Sequence, residues 1–255
     1  MVRALILAGA PNTGPLASVE KVSNESLVKV GGRPLISWVV QAFQEAETIN
    51  EIVVVGPEAE LAPHVPGQVR FVAPQGSLLS NIRAGLAAMD KDEPILISTS
   101  DIPLITGEIV DDFIHQCAQL EADFYYPIIE RSVTEARFPD AKRTWVATAD
   151  GTFTGGNFWL MEPTRVMQSL DAAEAFIEAR KSPLKLAIIL GPIFILKLLL
   201  KRATVVELEH KISSLAGARG RAVITPHPEI GFDVDKPEHI PPVERALRAA
   251  GRIAP

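Results

Sequence analysis

The segment ALILAGAPNTGPL, residues 4–16, decides the fold, because it joins an apolar run to a loop of small residues. Residues 4–8 are typical of a buried strand, and the chain then breaks into Gly, Ala, Pro and Asn. A strand that runs into such a loop often holds a phosphate in α/β proteins. This loop contains no lysine or arginine, so a phosphate held there would be bound through the backbone N–H groups.

Strand-like and helix-like patterns alternate along the first half of the chain. Continuous apolar runs predict further strands, and apolar residues at helical spacing predict helices between them. This alternation indicates an α/β fold with a mostly parallel sheet covered by helices on both faces. The predicted strands are 51–56, 69–73, 94–99 and 122–128, and the predicted helices are 34–46, 77–89 and 107–120.

The second half of the chain is less regular. Residues 143–161 predict two strands, or a strand and a loop. Residues 171–217 predict helices, and 221–226 and 230–235 return to strand character before a last helix. We find no internal repeat or linker. The simplest organisation is a single domain, 1–255, with a helical insertion at 171–217.

One apolar stretch, LKLAIILGPIFILKLLL at 184–200, resembles a membrane segment at first sight. Only eleven residues separate Lys185 from Lys197, and Pro192 lies among them. A membrane-spanning helix needs about 20 apolar residues, so we do not expect a span. The segment fits a buried helix or a homodimer contact, with contact to a membrane surface or a lipid substrate as the alternative.

Composition limits the class of protein. The net charge is −6 and hydrophobic residues make up 47% of the chain, so we expect a large core and no nucleic-acid partner. The one cysteine, Cys117, excludes an intramolecular disulfide and is typical of a reducing cytoplasm. Because Met1 leads straight into a strand, no signal peptide is expected.

Three aspartates carry a candidate metal site. Asp101 directly follows the predicted strand 94–99, and ligands of open α/β sheets bind at the carboxyl ends of strands. Asp233 and Asp235 follow another apolar run and face the same side if that run is a strand. Mg²⁺ prefers a few carboxylate oxygens together with substrate phosphates, so Asp101 and one of this pair can form a magnesium site. Helix capping is the alternative role for each.

Two loops carry candidate binding residues. In TGGN, residues 154–157, the glycines allow close backbone approach and Asn157 offers both a donor and an acceptor. A hairpin turn explains the glycines nearly as well, but not the asparagine. Gly76 and Ser77 open a predicted helix, whose free amide groups suit an anion or a nucleobase edge. Ordinary capping by Ser77 is the alternative.

These elements, in this order, resemble the nucleotidyltransferase family of the molybdenum-cofactor guanylyl- and cytidylyltransferases and the sugar-phosphate nucleotidyltransferases. The resemblance implies a glycosyltransferase-A-like, Rossmann-like three-layer sandwich. It also implies Mg²⁺-dependent transfer of a nucleoside monophosphate from a triphosphate to a phosphorylated small-molecule acceptor, releasing pyrophosphate. It covers most of the chain outside the insertion, in LILAGA (5–10), VGGRPLISWVVQAF (30–43), GSLLSNIRAGL (76–86), ISTSDIPLIT (97–106) and FDVDKPEH (232–239).

The resemblance also implies roles by position. Asp101 would bind the metal, Asp235 matches the family's second carboxylate best, and Asp233 is its neighbour. The remaining roles fall on Ala8, Gly9 and Ala10 for backbone contact with the nucleotide, on Gly76, Ser80 and Asn81 near the base, and on Gly155, Gly156 and Asn157 facing the acceptor.

The chain departs from the family where the family carries positive charge. The family's loop reads Leu-Ala-Gly-Gly-x-Gly-x-Arg, with a lysine seven residues before the glycine of Gly-(Lys/Arg)-Pro. Here the arginine position is Gly14 and the lysine position is Glu25. Because loss of one charge-stabilising group costs about 3–4 kcal/mol, we looked for a substitute. Lys21, in the flexible loop, is the candidate catalytic cation.

Two other functions stay open at this point. A glycosyltransferase with a nucleotide-sugar donor does not need the missing cations, and the apolar segment could then engage a lipid-linked acceptor. A non-catalytic nucleotide-binding protein would explain the loss of those cations. Retention of Asp101 and of the Asp233/Asp235 pair argues against that last reading.

Overall fold

The computed structural model describes residues 1–90, 92–139, 143–166 and 191–254. The described part contains eleven strands and nine α-helices. The strands are β1 Val2–Leu7, β2 Lys29–Val30, β3 Arg33–Pro34, β4 Ile49–Val55, β5 Arg70–Val72, β6 Ile95–Thr99, β7 Phe124–Glu130, β8 Val146–Ala147, β9 Thr152–Gly155, β10 Phe158–Met161 and β11 Gly220–Ile224. The helices are α1 Leu35–Glu45, α2 Glu58–Leu61, α3 Leu78–Ala87, α4 Gly107–Ala118, α5 Arg131–Arg137, α6 Pro163–Val166, α7 Pro192–Leu199, α8 Val205–Ala216 and α9 Ile240–Ala249.

Nine of these strands form one mixed sheet in the order β5-β4-β1-β6-β10-β7-β9-β8, with β11 paired to β7. Strands β5, β4, β1 and β6 run parallel to one another, and β11 is parallel to β7. Strand β10 lies antiparallel between β6 and β7, and β9 is antiparallel to β7. The mostly parallel α/β sheet predicted from the sequence is therefore confirmed. Residues 143–161 form three short strands rather than the two expected.

Strand β1 is buried on both faces, which explains its unbroken apolar sequence. Ala4 and Ile6 enter the core beneath α1 and α4, which also contains Phe43 and Phe113. Leu5 and Leu7 enter a second core beneath α3. Because alternate residues of a strand point to opposite faces, this single strand packs against helices on both sides of the sheet, in a three-layer helix–sheet–helix sandwich.

A third hydrophobic cluster surrounds Trp38 and joins the two ends of the chain. It includes Leu16 from the loop after β1, Phe232 and Val234, and the face of α9 that carries Leu247. The indole Nε1 of Trp38 donates a hydrogen bond to the carbonyl oxygen of Val30 at 3.0 Å. This packing fixes the position of the segment that carries Asp233 and Asp235.

The segment 230–235 is not the strand that its sequence predicts. Pro228–Gly231 forms a 3₁₀ helix, and the residues that follow lie outside any strand. The backbone N–H of Val234 donates to the carbonyl oxygen of Asp101 at 2.9 Å. One such bond, rather than a strand ladder, holds the pair Asp233 and Asp235 beside Asp101.

The apolar segment 184–200 is described only from residue 191 onward, and the helical prediction for 171–190 lies outside the described residues. In α7, Ile193 is 77% exposed and Leu199 is 75% exposed, so this helix is not buried in the chain by itself. Thr204 then starts α8 with a reciprocal capping box to Glu207. No helix in the described part of the chain is long and apolar enough to cross a membrane.

Candidate nucleotide-binding site

The loop after β1 is closed against the segment around Asn24. The side-chain amide of Asn24 donates to the carbonyl oxygen of Ala8 at 2.8 Å, in a buried position. Its side-chain oxygen accepts from the backbone N–H of Ser26 at 2.8 Å, and the N–H of Glu25 donates to the carbonyl of Ala10 at 3.1 Å. Two carbonyl groups of the loop are therefore already bonded, and so is the N–H of Ala8, which donates to the carbonyl of Val55 at 2.8 Å. Among the predicted contact residues, the N–H groups of the two residues after Ala8 are what the loop can offer to a phosphate.

Gly9 and Asn81 meet at the edge of this loop. A Cβ atom on Gly9 would lie 2.8 Å from the side-chain nitrogen of Asn81, so the close approach requires glycine. Asn81 is buried, and its side-chain oxygen accepts from the N–H of Gln75 at 2.6 Å. The predicted contact loop, Ala8 to Ala10, thus lies against the predicted base-binding residue Asn81.

The other predicted residues beside α3 lie at its start. Gly76 is exposed and has a φ of 88°, with open space around it. Ser77 caps α3 by accepting from the N–H of Ser80, and the hydroxyl groups of Ser77 and Ser80 are 2.7 Å apart. The capping role that the sequence offered as an alternative is therefore present, and Gly76 leaves space beside it.

Asp101 lies just beyond the carboxyl end of β6, as the sequence predicts. Its Oδ1 atom is buried and has no hydrogen-bond partner among the described residues. Burial, and next the negative charge of Asp233, raise the pKa of Asp101 to about 7, although a hydrogen bond with Thr99 works in the opposite direction. A buried carboxylate oxygen without a partner is unfavourable, and a bound cation would relieve that cost.

Asp233 and Asp235 both lie near Asp101 but have different partners. Asp233 Oδ1 is 2.5 Å from Nη1 of Arg143, whose side chain is 13% exposed. Asp235 Oδ1 is 2.9 Å from Nδ1 of His239. The charge of Asp233 raises the pKa of Asp101 more than that of Asp235 does. The family pattern favours Asp235, whereas the charge of Asp233 acts more strongly on Asp101.

These carboxylates suit a cation that is shared with a substrate. Within residues 1–90, 92–139, 143–166 and 191–254, no three acidic, histidine or cysteine side chains are close enough to hold a metal by themselves. Mg²⁺ is commonly held by one or two carboxylates together with substrate phosphates. Asp101 with one neighbouring aspartate fits that donor set, and the partnerless Oδ1 of Asp101 is the observation that favours it.

Asn157 directly precedes β10 and lies against the end of β6. Its carbonyl oxygen accepts from the backbone N–H of Thr99 at 3.0 Å, while its side-chain nitrogen is buried without a partner in the described structure. The glycines before it have a packing explanation. A Cβ on Gly155 would clash with the hydroxyl of Tyr126, and one on Gly156 would lie 2.8 Å from Pro127. Packing therefore explains the two glycines of this loop but not the presence of an asparagine at position 157.

Glu25 and Gly14, the positions of the missing family cations, lie side by side. A Cβ on Gly14 would be 2.9 Å from the carboxylate oxygen Oε1 of Glu25. Partial burial, and next the charge of Asp235, raise the pKa of Glu25 above its usual range. The place where the family concentrates positive charge therefore holds a carboxylate that faces the metal-binding side.

Lys21 is exposed, and it makes no ion pair or hydrogen bond with any residue that the structure describes. Lys29, the other nearby lysine, lies 3.5 Å from Glu20. Sequence reasoning missed Arg143 and Asn24, because neither belongs to a motif or an apolar period. The exposed position of Lys21 contrasts with that of Arg143, which already contacts a site carboxylate.

Residues 4–229 match the MobA-like NTP transferase domain family. The chain belongs to this family, which confirms the class inferred from its sequence. It is a transferase of the nucleotidyltransferase type, built on the Rossmann-like α/β fold described above.

Individual relatives agree with this class. A hypothetical transferase from Thermus thermophilus is 35% identical, with a TM-score of 0.84 over 93% of this chain and 98% of that one. A CMP:2-keto-3-deoxy-manno-octonic acid synthetase solved with CTP has a TM-score of 0.63 at 14% identity, covering 98% and 99% of the two chains, and so shares the fold. The bifunctional protein GlmU of Caldanaerobacter subterraneus subsp. tengcongensis is 39% identical over 83 residues, which are 31% of this chain. That match spans only 18% of the length of GlmU.

Proposed function

We propose that this protein transfers a nucleoside monophosphate from a nucleoside triphosphate to a phosphorylated small molecule, with Mg²⁺ as the cofactor. An oxygen of the acceptor phosphate bonds to the α-phosphorus, the bond from that phosphorus to the β-phosphate oxygen breaks, and pyrophosphate leaves. The single observation that carries the proposal is Oδ1 of Asp101 at the carboxyl end of β6, which is buried and has no partner among the described residues. The loop after β1 lies at the carboxyl end of the neighbouring parallel strand, and there it would offer the N–H groups of Gly9 and Ala10.

The residues present divide the work between two sides of the site. Asp101 and Asp233 would hold Mg²⁺, with Asp235 as neighbour, and the ion supplies positive charge that stabilises the phosphoryl oxygens. Gly9 and Ala10 would position the triphosphate by their N–H groups, and Ala8 would hold the loop in place through its bonds to Val55 and Asn24. Asn81 with Gly76 and Ser80 would face the base. The free amide of Asn157 would orient the acceptor from the Gly155–Gly156 side. Positioning and charge stabilisation are what this chemistry mostly requires.

The partners follow from the same site. A nucleotide and a small acceptor are expected, with no nucleic acid, because the net charge is −6. We place the reaction in the cytoplasm, where triphosphates are available and a lone cysteine stays reduced. The exposed apolar side chains of α7 would serve a homodimer contact or contact with a membrane surface, and the chain 1–255 would act as a single domain.

The test is a panel of the four triphosphates, each with and without Mg²⁺, measured by thermal shift and calorimetry. Wild-type protein should bind one triphosphate only when Mg²⁺ is present, and Asp101→Asn should lose that dependence. Glu108→Gln, on the exposed surface of α4, is the matched control and should behave as wild type. If wild type and Asp101→Asn respond alike to every triphosphate with Mg²⁺, the proposal is wrong.

One observation favours a second candidate, a glycosyltransferase on the same fold. The carboxylate of Glu25 beside Gly14 repels a triphosphate more than a nucleotide-diphosphate sugar, which carries less charge. Stabilisation by sugar nucleotides but not by triphosphates, with no pyrophosphate released, would select this alternative. Pyrophosphate release with any phosphorylated acceptor would select nucleotidyl transfer and exclude a purely binding role.

A further inference from the structure

We infer that Arg143 binds the acceptor's phosphate. The positive side chain of the site then lies beside Asp233, and not in the loop after β1. This inference rests on the proposed function, because it names the cation that the acceptor would meet. It departs from the sequence-based expectation, which placed the substitute cation at Lys21.

Contacts with the segment 232–235 fix the position of the Arg143 guanidinium. Nη1 of Arg143 is 2.5 Å from Oδ1 of Asp233, and the next residue, Val234, donates its N–H to the carbonyl oxygen of Asp101 at 2.9 Å. The guanidinium carbon also lies 5.9 Å from the centre of the Phe232 ring, which limits its range of positions. Arg143 is therefore held at the metal-binding carboxylates by two contacts with the segment 232–235.

Most N–H donors of the Arg143 guanidinium make no hydrogen bond to a described residue. A guanidinium carries five N–H donors in a planar fork that matches a phosphate. Arg143 makes one hydrogen bond to a residue in the described parts of the chain, through Nη1 to Asp233. Its side chain is 13% exposed, so the remaining donors are largely removed from water. Such donors gain most from an anion that arrives beside them.

The position of Arg143 within the site indicates which of the two substrates it contacts. The loop expected to hold the triphosphate adjoins Glu25, because a Cβ on Gly14 would lie 2.9 Å from Oε1 of Glu25. Arg143 contacts Asp233, in the short segment 232–235. The N–H of Asn157 donates to the carbonyl of Ile230, so that segment continues towards the predicted acceptor loop. The geometry therefore assigns Arg143 to the acceptor and not to the triphosphate.

The experiment is a phosphorus NMR titration with inorganic phosphate as the probe for the acceptor. It uses the full chain with Mg²⁺, alone and saturated with an α,β-methylene triphosphate. We expect Arg143→Gln to weaken phosphate binding at least tenfold and Arg143→Lys to weaken it about threefold. Triphosphate affinity should change less than threefold in both variants. Arg137→Gln, which breaks a comparable surface ion pair with Glu229, should change neither affinity.

Two outcomes would overturn the inference. Phosphate affinity that is unchanged in Arg143→Gln shows that the residue only neutralises Asp233. An equal loss of triphosphate affinity shows that it serves the donor instead. Arg143→Lys keeps the charge beside Asp233, so it provides a folded variant if Arg143→Gln loses its thermal transition. Failure of wild type to bind any triphosphate while the phosphate effect persists would count against the proposed function alone.

Discussion

The site has two sides that differ in how far they keep the family pattern. The carboxylate side, Asp101 with Asp233 and Asn157, carries residues that the sequence proposes and leaves Oδ1 of Asp101 and the side-chain nitrogen of Asn157 buried without a partner among the described residues. The loop side, Ala8 to Gly14 with Asn24 and Glu25, is held by the bond of Asn24 to Ala8, but it carries the carboxylate of Glu25 beside Gly14, where the sequence resemblance leads us to expect cations. The carboxylate side can therefore bind a cation, whereas the loop side has a carboxylate and a glycine at the two positions where a cation is expected.

The difference shows that the shape and the charge of a nucleotide loop are held by different residues. The path of the loop depends on Asn24, which bonds the carbonyl of Ala8, and on the glycine at position 9 that admits Asn81. Neither contact needs Gly14 or Glu25 to be basic. The backbone can therefore keep the family's conformation after the charges have been replaced.

The largest effect is expected on the carboxylate side, in the dependence of stability on pH. Because the folded-state pKa of Asp101 is raised to about 7, the folded protein holds this proton more tightly than the unfolded chain. Without divalent cations, its contribution to the free energy of unfolding should fall as pH rises from about 4 to about 7 and then stay level. Asp101→Asn should therefore be more stable than wild type at pH 8, by at most about 4 kcal/mol.

Urea unfolding at several pH values, compared between wild type and Asp101→Asn, measures this difference. It should shrink towards zero near pH 4, and Mg²⁺ with bound triphosphate should reduce it at pH 8. Equal stability of the two proteins at pH 8 would show that Asp101 is not desolvated as the geometry indicates.

The next effect concerns the anchor on the loop side. Asn24→Ala removes two buried hydrogen bonds and leaves the carbonyl of Ala8 without its partner, which should lower the free energy of unfolding by about 2–3 kcal/mol. Urea unfolding measures this loss, and triphosphate affinity should fall as well because the loop loses its path. Asn50→Ala is the control, since the side-chain bond of Asn50 to Glu93 is exposed. A loss equal to that of the control would refute the anchoring role.

The two sides of the site differ in how far the sequence alone predicts them. The strands and helices of the first half follow from continuous apolar runs and helical spacing, and Asp101 follows from its place after β6. The bond of Asn24 to Ala8 joins residues sixteen positions apart and depends on a loop path that no periodicity encodes. Arg143 reaches Asp233 across 90 positions. The segment 230–235 was mistaken for a strand because an extended apolar run looks the same whether or not it has a strand partner.

Reversing the charge of Glu25, at the position where a lysine is expected, tests whether the loop side lacks only positive charge. Glu25→Lys removes the carboxylate that faces Asp235 and places a cation beside Gly14, where no side chain blocks it. We expect the affinity for the Mg²⁺–triphosphate complex to rise about tenfold, which is about 1.4 kcal/mol. Calorimetry measures the change. Glu58→Lys makes the same change in net charge at an exposed position and should leave the affinity within twofold, so a rise in both variants would reveal only a net-charge effect.

The smallest effect is expected at Lys21, the cation that the sequence proposes for the loop side. Its side chain is exposed and unpaired within the described residues, so it would meet the triphosphate in a solvated position, where a charge pair contributes at most about 1 kcal/mol. Lys21→Ala should therefore lower kcat/KM for pyrophosphate release no more than about fivefold, and less at high salt because exposed charges are screened. Lys29→Ala, whose side chain already pairs with Glu20, is the control. A loss of 10²–10³ for Lys21→Ala, the size typical of one removed stabilising group, would instead make Lys21 the catalytic cation and return the positive charge of the site to the loop side.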